Sequence, residues 1–558
     1  MEESQDIFSR CETKNKKYMM KKNVTQQLPG RKAVRGLLSV VLLLWAVVAA
    51  SAQNGPVVMR NCRPQLTEKG IPAHAAARHA PAILSQQPKG LRRAESQNPL
   101  IGKRRQLVVM TSFPDKPFEG DETSTLKLWD KILNAEHLNE EPFHGSLHDY
   151  FYDQSYGQFD VTFDLYYYEL PDSMVKYRST DTDDENSKYL VADVVNHLKT
   201  LNLDWAPYDW DDNGYVDQLL IIYAGKGQND GGGSKSIWPH QWWMSMHGNS
   251  QAITVTSGGK QYLIDCYCCV QEKSGSNDYG SFGTLCHEYS HCFGLPDFYE
   301  GNTTYVDDWD LMDHGNYCGG GFQPCGYSAF ERTFMGWLTP VELTSDTTVT
   351  DIPALNEKPQ AYLIRNDGEP QEYYLVENRQ QTGWDTQIPG NGIIIAHVDY
   401  DEEIFRVGLP NTSNRQRYTL FAANNHPEPT NSKWEGGWAY PWIDNSNENA
   451  PERNDELTNT SEPASTLNNP NTDGSYLMSK PLTKMDVADG LASFHFQAHE
   501  TSAINQLKAD DQFGDTSAQG KTLYYDLSGR QLGTNPAGLP AGIYVVKTGK
   551  ATRKAVIK

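Results

Sequence analysis

Thr284-Leu-Cys-His-Glu-Tyr-Ser-His-Cys-Phe-Gly-Leu-Pro-Asp297 is the stretch on which the reading of this 558-residue chain turns. It contains His-Glu-x-x-His at 287–291. On a helix, His287 and His291 sit one turn apart on one face, so both imidazoles can bind one Zn2+. Glu288 is rotated by about 100° from His287 at 3.6 residues per turn. It can flank such an ion without ligating it, as general base for a metal-activated water. Gly294 ends the helix, because glycine takes the left-handed cap conformation readily. Pro296 blocks continuation. With 15 His in 558 residues, chance produces this motif only about 0.02 times per chain, which makes it specific.

Two residues compete for the third ligand position. Asp297 completes His-Glu-x-x-His-x-x-Gly-x-x-Asp, and a ligand on the adjacent turn needs little loop closure. Glu331 lies in the helix-like Tyr327-Ser-Ala-Phe-Glu-Arg-Thr-Phe-Met335 and could ligate as the later Glu does in His2Glu sites. Between them comes Trp309-Asp-Leu-Met-Asp-His-Gly-Asn-Tyr317. A Met in a turn downstream of this motif fits the Met-turn of metzincins, a hydrophobic floor under the ion. Met312 is that candidate, and Tyr317 is a candidate oxyanion donor.

Working outward, Gln106-Leu-Val-Val-Met-Thr-Ser-Phe113 reads as a buried strand. Residues near 143–158 read as a helix leading into the alternating strand Phe159-Asp-Val-Thr-Phe-Asp-Leu-Tyr166. Residues 188–201 are helix-like, and Asp217-Gln-Leu-Leu-Ile-Ile-Tyr-Ala224 is a second buried strand before a Gly-rich loop. This predicts an α+β (α/β-like) domain up to about residue 340. Beyond it, short alternating runs such as Glu372–Glu377 and Gly392–Val398 predict β-rich, sandwich-like domains. Residues 424–474 read as a long polar loop. The expected organisation is a signal peptide at 1–52, a pro-segment or linker at 53–103, a catalytic domain at 104–340, a β-rich domain at 341–500 and a C-terminal unit at 501–558.

Formal net charge is −22. Residues 1–52 carry nine Lys/Arg and four Asp/Glu, or +5, so the remainder is −22 − 5 = −27. So acidic a body is repelled by phosphate backbones, which argues against nucleic-acid binding. The uncharged run Gly36–Ala50 is shorter than the ~20 residues of a bilayer span. It precedes the small-residue pattern Ala50-Ser51-Ala52 without a charged stop-transfer flank, so it reads as an export signal with no membrane span after its removal. Of nine Cys, seven fall at 266, 268, 269, 286, 292, 318 and 325. An oxidising exterior allows disulfides among them, and their pairing cannot be deduced. Cys62, in the expected pro-segment, could reach the zinc's open position as a thiolate and hold the enzyme latent.

Asp209-Trp-Asp-Asp-Asn-Gly-Tyr-Val-Asp217 places oxygen ligands at loop positions 1, 3, 5 and 9 with Gly at 6, matching a calcium loop. Asp209, Asp211, Asn213 and Asp217 would supply side chains and Tyr215 its carbonyl. Position 12 is Leu220 rather than the bidentate Glu of an EF-hand.

The 284–297 motif, the Trp309–Tyr317 turn, Phe334-Met-Gly-Trp-Leu-Thr-Pro340, Ser155-Tyr-Gly-Gln-Phe159 and Gly214-Tyr-Val-Asp217 together resemble immune inhibitor A-type secreted metallopeptidases. Tyr374-Leu-Val-Glu-Asn-Arg-Gln380, Pro389-Gly-Asn-Gly-Ile393 and His397-Val-Asp399 extend the resemblance to roughly 103–500. It implies a zincin catalytic domain, zinc-dependent endopeptidase activity on proteins, a pro-segment and bound calcium. The tail, with Tyr525-Asp-Leu-Ser-Gly-Arg530 and Gly542-Ile-Tyr-Val-Val546, is similar to the C-terminal sorting domain of type IX secretion cargo. That implies passage through the periplasm, contact with the secretion machinery and a secreted or outer-surface location. The competing expectation is a non-catalytic, calcium-stabilised surface adhesin with a vestigial zinc site.

Overall fold

Leu107, Val108, Val109 and Met110 are consecutive apolar residues, all fully buried. A run without alternation belongs in a sheet covered on both faces. The computed structural model describes residues 98–557 apart from 181–183, 276–278, 407, 428–434, 445–451, 500–521, 527–529, 535–538, 540–541 and 549–550. The expected signal peptide and Cys62 lie outside the described residues.

The strands of the first half are β1 (Gly102–Ser112), β2 (Phe159–Glu169), β3 (Tyr215–Val216), β4 (Leu219–Lys226), β5 (His240–Trp243), β6 (Ile253–Ser257), β7 (Lys260–Ile264) and β8 (Cys266–Lys273). Five of them form one sheet in the order β2-β1-β4-β8-β5. The β1–β2, β1–β4 and β4–β8 pairs are parallel, and β5 closes one edge antiparallel to β8. Helices Glu122–Asn134, Leu147–Gln154 and Ser187–Leu198 make the connections. The dibasic pair Arg104-Arg105 sits inside β1, where Arg105 makes a two-pronged bond to Asp164 at 2.7 and 2.6 Å. Cys266, Cys268 and Cys269, read from sequence as cross-link candidates, lie in β8 and fill the core as small apolar groups.

In the second half, strands Tyr362–Arg365, Glu372–Arg379 and Gly392–Asp399 form an antiparallel sheet, extended at one edge by Tyr418–Leu420 and at the other by a parallel contact with Val341–Glu342. Its two faces have different partners. Leu363, Leu375, Ile394, Ala396 and Val398 join the core of the first half. Ile364, Val376, Ile393 and Ile395 build a second core with Leu482, Met485, Phe494 and Phe496 of a three-stranded sheet. The described part of the polar stretch 424–474 is more ordered than its composition predicts. It holds paired strands Trp442–Asp444 and Glu452–Asn454, and its asparagines bond backbone groups; the Asn471 amide donates to the carbonyls of Leu477 and Met478, both at 3.0 Å. The C-terminal unit shows one four-stranded antiparallel sheet. Among the described residues no helix is long and apolar enough to cross a membrane.

A buried polar cluster links Ser187 to the sheet edge. The Tyr267 hydroxyl lies 2.7 Å from Ser187 Oγ, 2.7 Å from His247 Nε2 and 3.0 Å from His240 Nε2. Burial, with His240 nearby, pushes His247 down to about 4. Below its unfolded value near 6.5 the unfolded chain therefore binds the extra proton more readily. Stability is complete above about pH 6.5 and declines as pH falls to about 4, by up to about 3 kcal/mol from this group. A thermal-melt series across that range checks it; His247→Gln should flatten the slope.

Candidate metal centre

The helix Phe282–Cys292 starts at Ser281, whose Oγ accepts from the Thr284 amide at 3.2 Å. Every residue of it is buried, so it is not a surface helix carrying solvated imidazoles. Gly283 permits this burial: a Cβ there would stand 1.8 Å from the Asn316 carbonyl oxygen. At the other end Gly294 has φ +102° and bonds back to the His291 carbonyl at 2.9 Å, turning the chain toward Asp297.

The turn brings Asp297 between the two rings. Its Oδ1 lies 3.2 Å from His287 Nε2 and 3.1 Å from His291 Nε2, and the ring planes stand 86° apart. All three residues are buried. Each Nδ1 is committed to a backbone carbonyl: His287 to Leu311 O at 2.9 Å, His291 to Leu295 O at 2.8 Å. That fixes both rings with Nε2 turned inward, the second-sphere arrangement seen around metal-ligating histidines. Two atoms at 2.0–2.1 Å from one tetrahedral ion are roughly 3.3 Å apart, close to the separations here. Two imidazoles and a carboxylate suit Zn2+ and leave a fourth position for water or substrate. Burial opposes charging of His287, yet Asp297 and Glu288 beside it raise it to about 9. Burial likewise works against ionised Asp297, while His291 and His287 hold its carboxyl well below the usual range.

Glu331 goes elsewhere. It completes a capping box with Ser328 at the start of helix Ala329–Phe334 and shares a side-chain hydrogen bond with Asp310. Glu288 is 1% exposed, beside His287 on the same helix. Met312 is fully buried in the turn that supplies Leu311 O, and its own carbonyl accepts from the Phe298 amide at 2.8 Å. The Met-containing turn thus touches both the His287 side and the Asp297 side of the centre. Tyr317 lies with its ring 5.1 Å from that of His314.

Asp209, Asp211 and Asp217 also converge, with carboxylate oxygens within 4.8 Å of one another. Asp209 accepts from the amides of Asn213 and Gly214 at 2.9 and 3.0 Å, and Lys260 Nζ stands 3.4 Å from it. Asn213 Oδ1 accepts from the Tyr215 amide at 2.8 Å, closing the loop on itself. A third group, Asp307, Asp308 and His314, is drawn together by an ion pair of 2.6 Å between His314 Nδ1 and Asp308. Sequence reading missed it, as it missed the orienting carbonyls of Leu295 and Leu311, which no side chain announces.

Residues 103–338 match the family model of the immune inhibitor A peptidase M6 catalytic domain. The match contains the whole His287–His291–Asp297 centre and the turn beneath it. Among curated proteins the chain is similar to Immune inhibitor A of Bacillus thuringiensis subsp. alesti, 27% identical over 44% of this chain and 42% of that protein. It is also similar to Pre-pro-metalloprotease PrtV of Vibrio cholerae serotype O1, 24% identical over 42% of this chain and 30% of that protein. The aligned part therefore spans less than half of either relative. The solved structure of wild-type OgpA from Akkermansia muciniphila aligns with 57% of this chain and 92% of its own at 12% identity, with a TM-score of 0.21 that supports no inference.

Proposed function

We propose that the chain is an exported zinc endopeptidase whose ion is held by His287, His291 and Asp297. The observation that carries the reading is the convergence of two carbonyl-oriented Nε2 atoms and one buried carboxylate, inside a segment matching the peptidase M6 catalytic domain. Zinc, when bound, supplies Lewis acidity that polarises the scissile carbonyl and acidifies a water. Glu288, one residue from the first ligand, takes the proton from the attacking water and returns it to the leaving amine. Met312 and its turn keep the ligand geometry from relaxing. Casein hydrolysis with stoichiometric zinc tests the reading; a zinc-loaded chain that cleaves nothing would favour the adhesin with a vestigial site.

The proposal includes calcium at Asp209, Asp211, Asn213, Tyr215 and Asp217, supported by the convergence of the three aspartates. EDTA should then lower the melting temperature, with calcium restoring what zinc alone does not. Full rescue by zinc would remove calcium from the scheme. Export through an N-terminal signal and type IX sorting by the C-terminal unit, reached via the periplasm, complete the reading; protein extracted from culture supernatant, with residues 1–52 absent by N-terminal sequencing, is the expected result.

A further inference from the structure

The matched peptidase segment ends at residue 338, yet the turn beneath the metal centre is held by side chains from beyond it. Tyr418, in the edge strand Tyr418–Leu420, is 1% exposed. Its hydroxyl donates to Asp310 Oδ2 at 3.0 Å and lies 3.0 Å from Ser328 Oγ. Asp310 Oδ1 in turn accepts from the Met312 amide at 2.9 Å. One residue lies between them: Leu311, whose carbonyl orients His287 at 2.9 Å. The Tyr418 ring packs on Phe298, centroids 4.1 Å apart, and Phe298 follows Asp297 directly. Asn411 fastens the same segment, its amide donating to Phe298 O at 2.9 Å and Tyr418 O at 2.7 Å.

A second buttress stands beside it. All five donor positions of buried Arg379 are used: two to Asp385 at 2.9 and 2.7 Å, one to Glu377 at 3.2 Å, one to Trp309 O at 3.2 Å and one to Gly326 O at 3.1 Å. Trp309 is the residue before Asp310. The turn is therefore gripped on both sides from the β-rich half.

We propose that Tyr418 is a positioning residue for the metal centre: its hydroxyl holds, through Asp310, the turn that orients His287, and its ring holds the segment that carries Asp297. This rests on the reading of His287, His291 and Asp297 as zinc ligands. It makes the β-rich half part of the active site rather than an appended module. Tyr418→Phe removes the hydroxyl and keeps the ring on Phe298. Partners that hydrogen-bond a ligating histidine directly are worth 10- to 100-fold in metal affinity or activity, and Tyr418 acts on one of them, the carbonyl of Leu311, through Asp310.

The test uses the full chain loaded with one equivalent of zinc and an excess of a chromogenic chelator. Tyr418→Phe should hand over its zinc at least about tenfold faster than the parent, and lower kcat by about tenfold with KM nearly unchanged. Tyr374→Phe is the control: this residue is as buried as Tyr418, and it loses a hydroxyl bond to Thr466 O at 2.7 Å, in the second core away from the centre. It should lower the melting temperature comparably and release zinc at the parent rate. The proposal fails if Tyr418→Phe releases zinc like the parent, or if Tyr374→Phe accelerates release as much. A parent that holds zinc but cleaves nothing would sink the peptidase reading alone, since the release rates still decide the role of Tyr418.

Discussion

Glu288→Gln should keep its full zinc content and its melting temperature, and lose about 10^2- to 10^4-fold in peptide hydrolysis, the span that a positioned general acid–base group contributes. The amide is nearly isosteric with the carboxylate and sits at a position that is 1% exposed, so the packing around it survives. What disappears is the ability to accept a proton from the attacking water. The effect should fall on kcat rather than KM, because the group acts on the reacting atoms. Zinc content by atomic absorption, measured on the same preparation, separates this outcome from loss of the ion. Equal activity of parent and variant would place the base elsewhere or remove the enzyme reading.

The second large effect is expected at Asp297. Asp297→Ala should abolish stoichiometric zinc binding, and with it hydrolysis. It should also destabilise the metal-free chain by about 3–5 kcal/mol, the range for removing one partner of a buried ion pair. The reason is geometric: one carboxylate oxygen stands 3.2 and 3.1 Å from two buried Nε2 atoms. Glu331→Ala is the comparison. It removes a helix cap and the partner of Asp310, so it should lower the melting temperature while zinc binding persists. If Glu331→Ala loses the ion and Asp297→Ala keeps it, the assignment of the third ligand reverses.

Much of the first half is legible in the amino-acid sequence. The strands at 106–113 and 217–224 announce themselves because parallel strands buried on both faces must be apolar without interruption. The helix at 282–292 does so because its glycine stop and its histidine spacing agree. Strand β8 was not legible: Cys266-Tyr-Cys-Cys-Val-Gln-Glu-Lys273 has a composition that suggests cysteine chemistry, and only its place in the sheet shows that burial uses the cysteines as apolar filling. The described part of 424–474 misled in the opposite sense, since asparagine side chains such as that of Asn471 can replace backbone partners in a polar segment that has no hydrophobic pattern.

The amino-acid sequence by itself determined the pairing of His287 with His291 and the place of Glu288 beside them, because a helix sets those relations within four residues of covalent chain. Tertiary structure alone decided which distant groups face that pair. Short loop closure favours Asp297 over Glu331 in the sequence, and in the fold a tight turn delivers the first while a capping box occupies the second. The carbonyls of Leu295 and Leu311 aim the rings, and carbonyls are common to every residue, so no letter of the sequence marks them. Tyr418 reaches Asp310 across 108 positions. A contact of that separation depends on how two sheets pack, which is a property of the folded chain and of no segment within it.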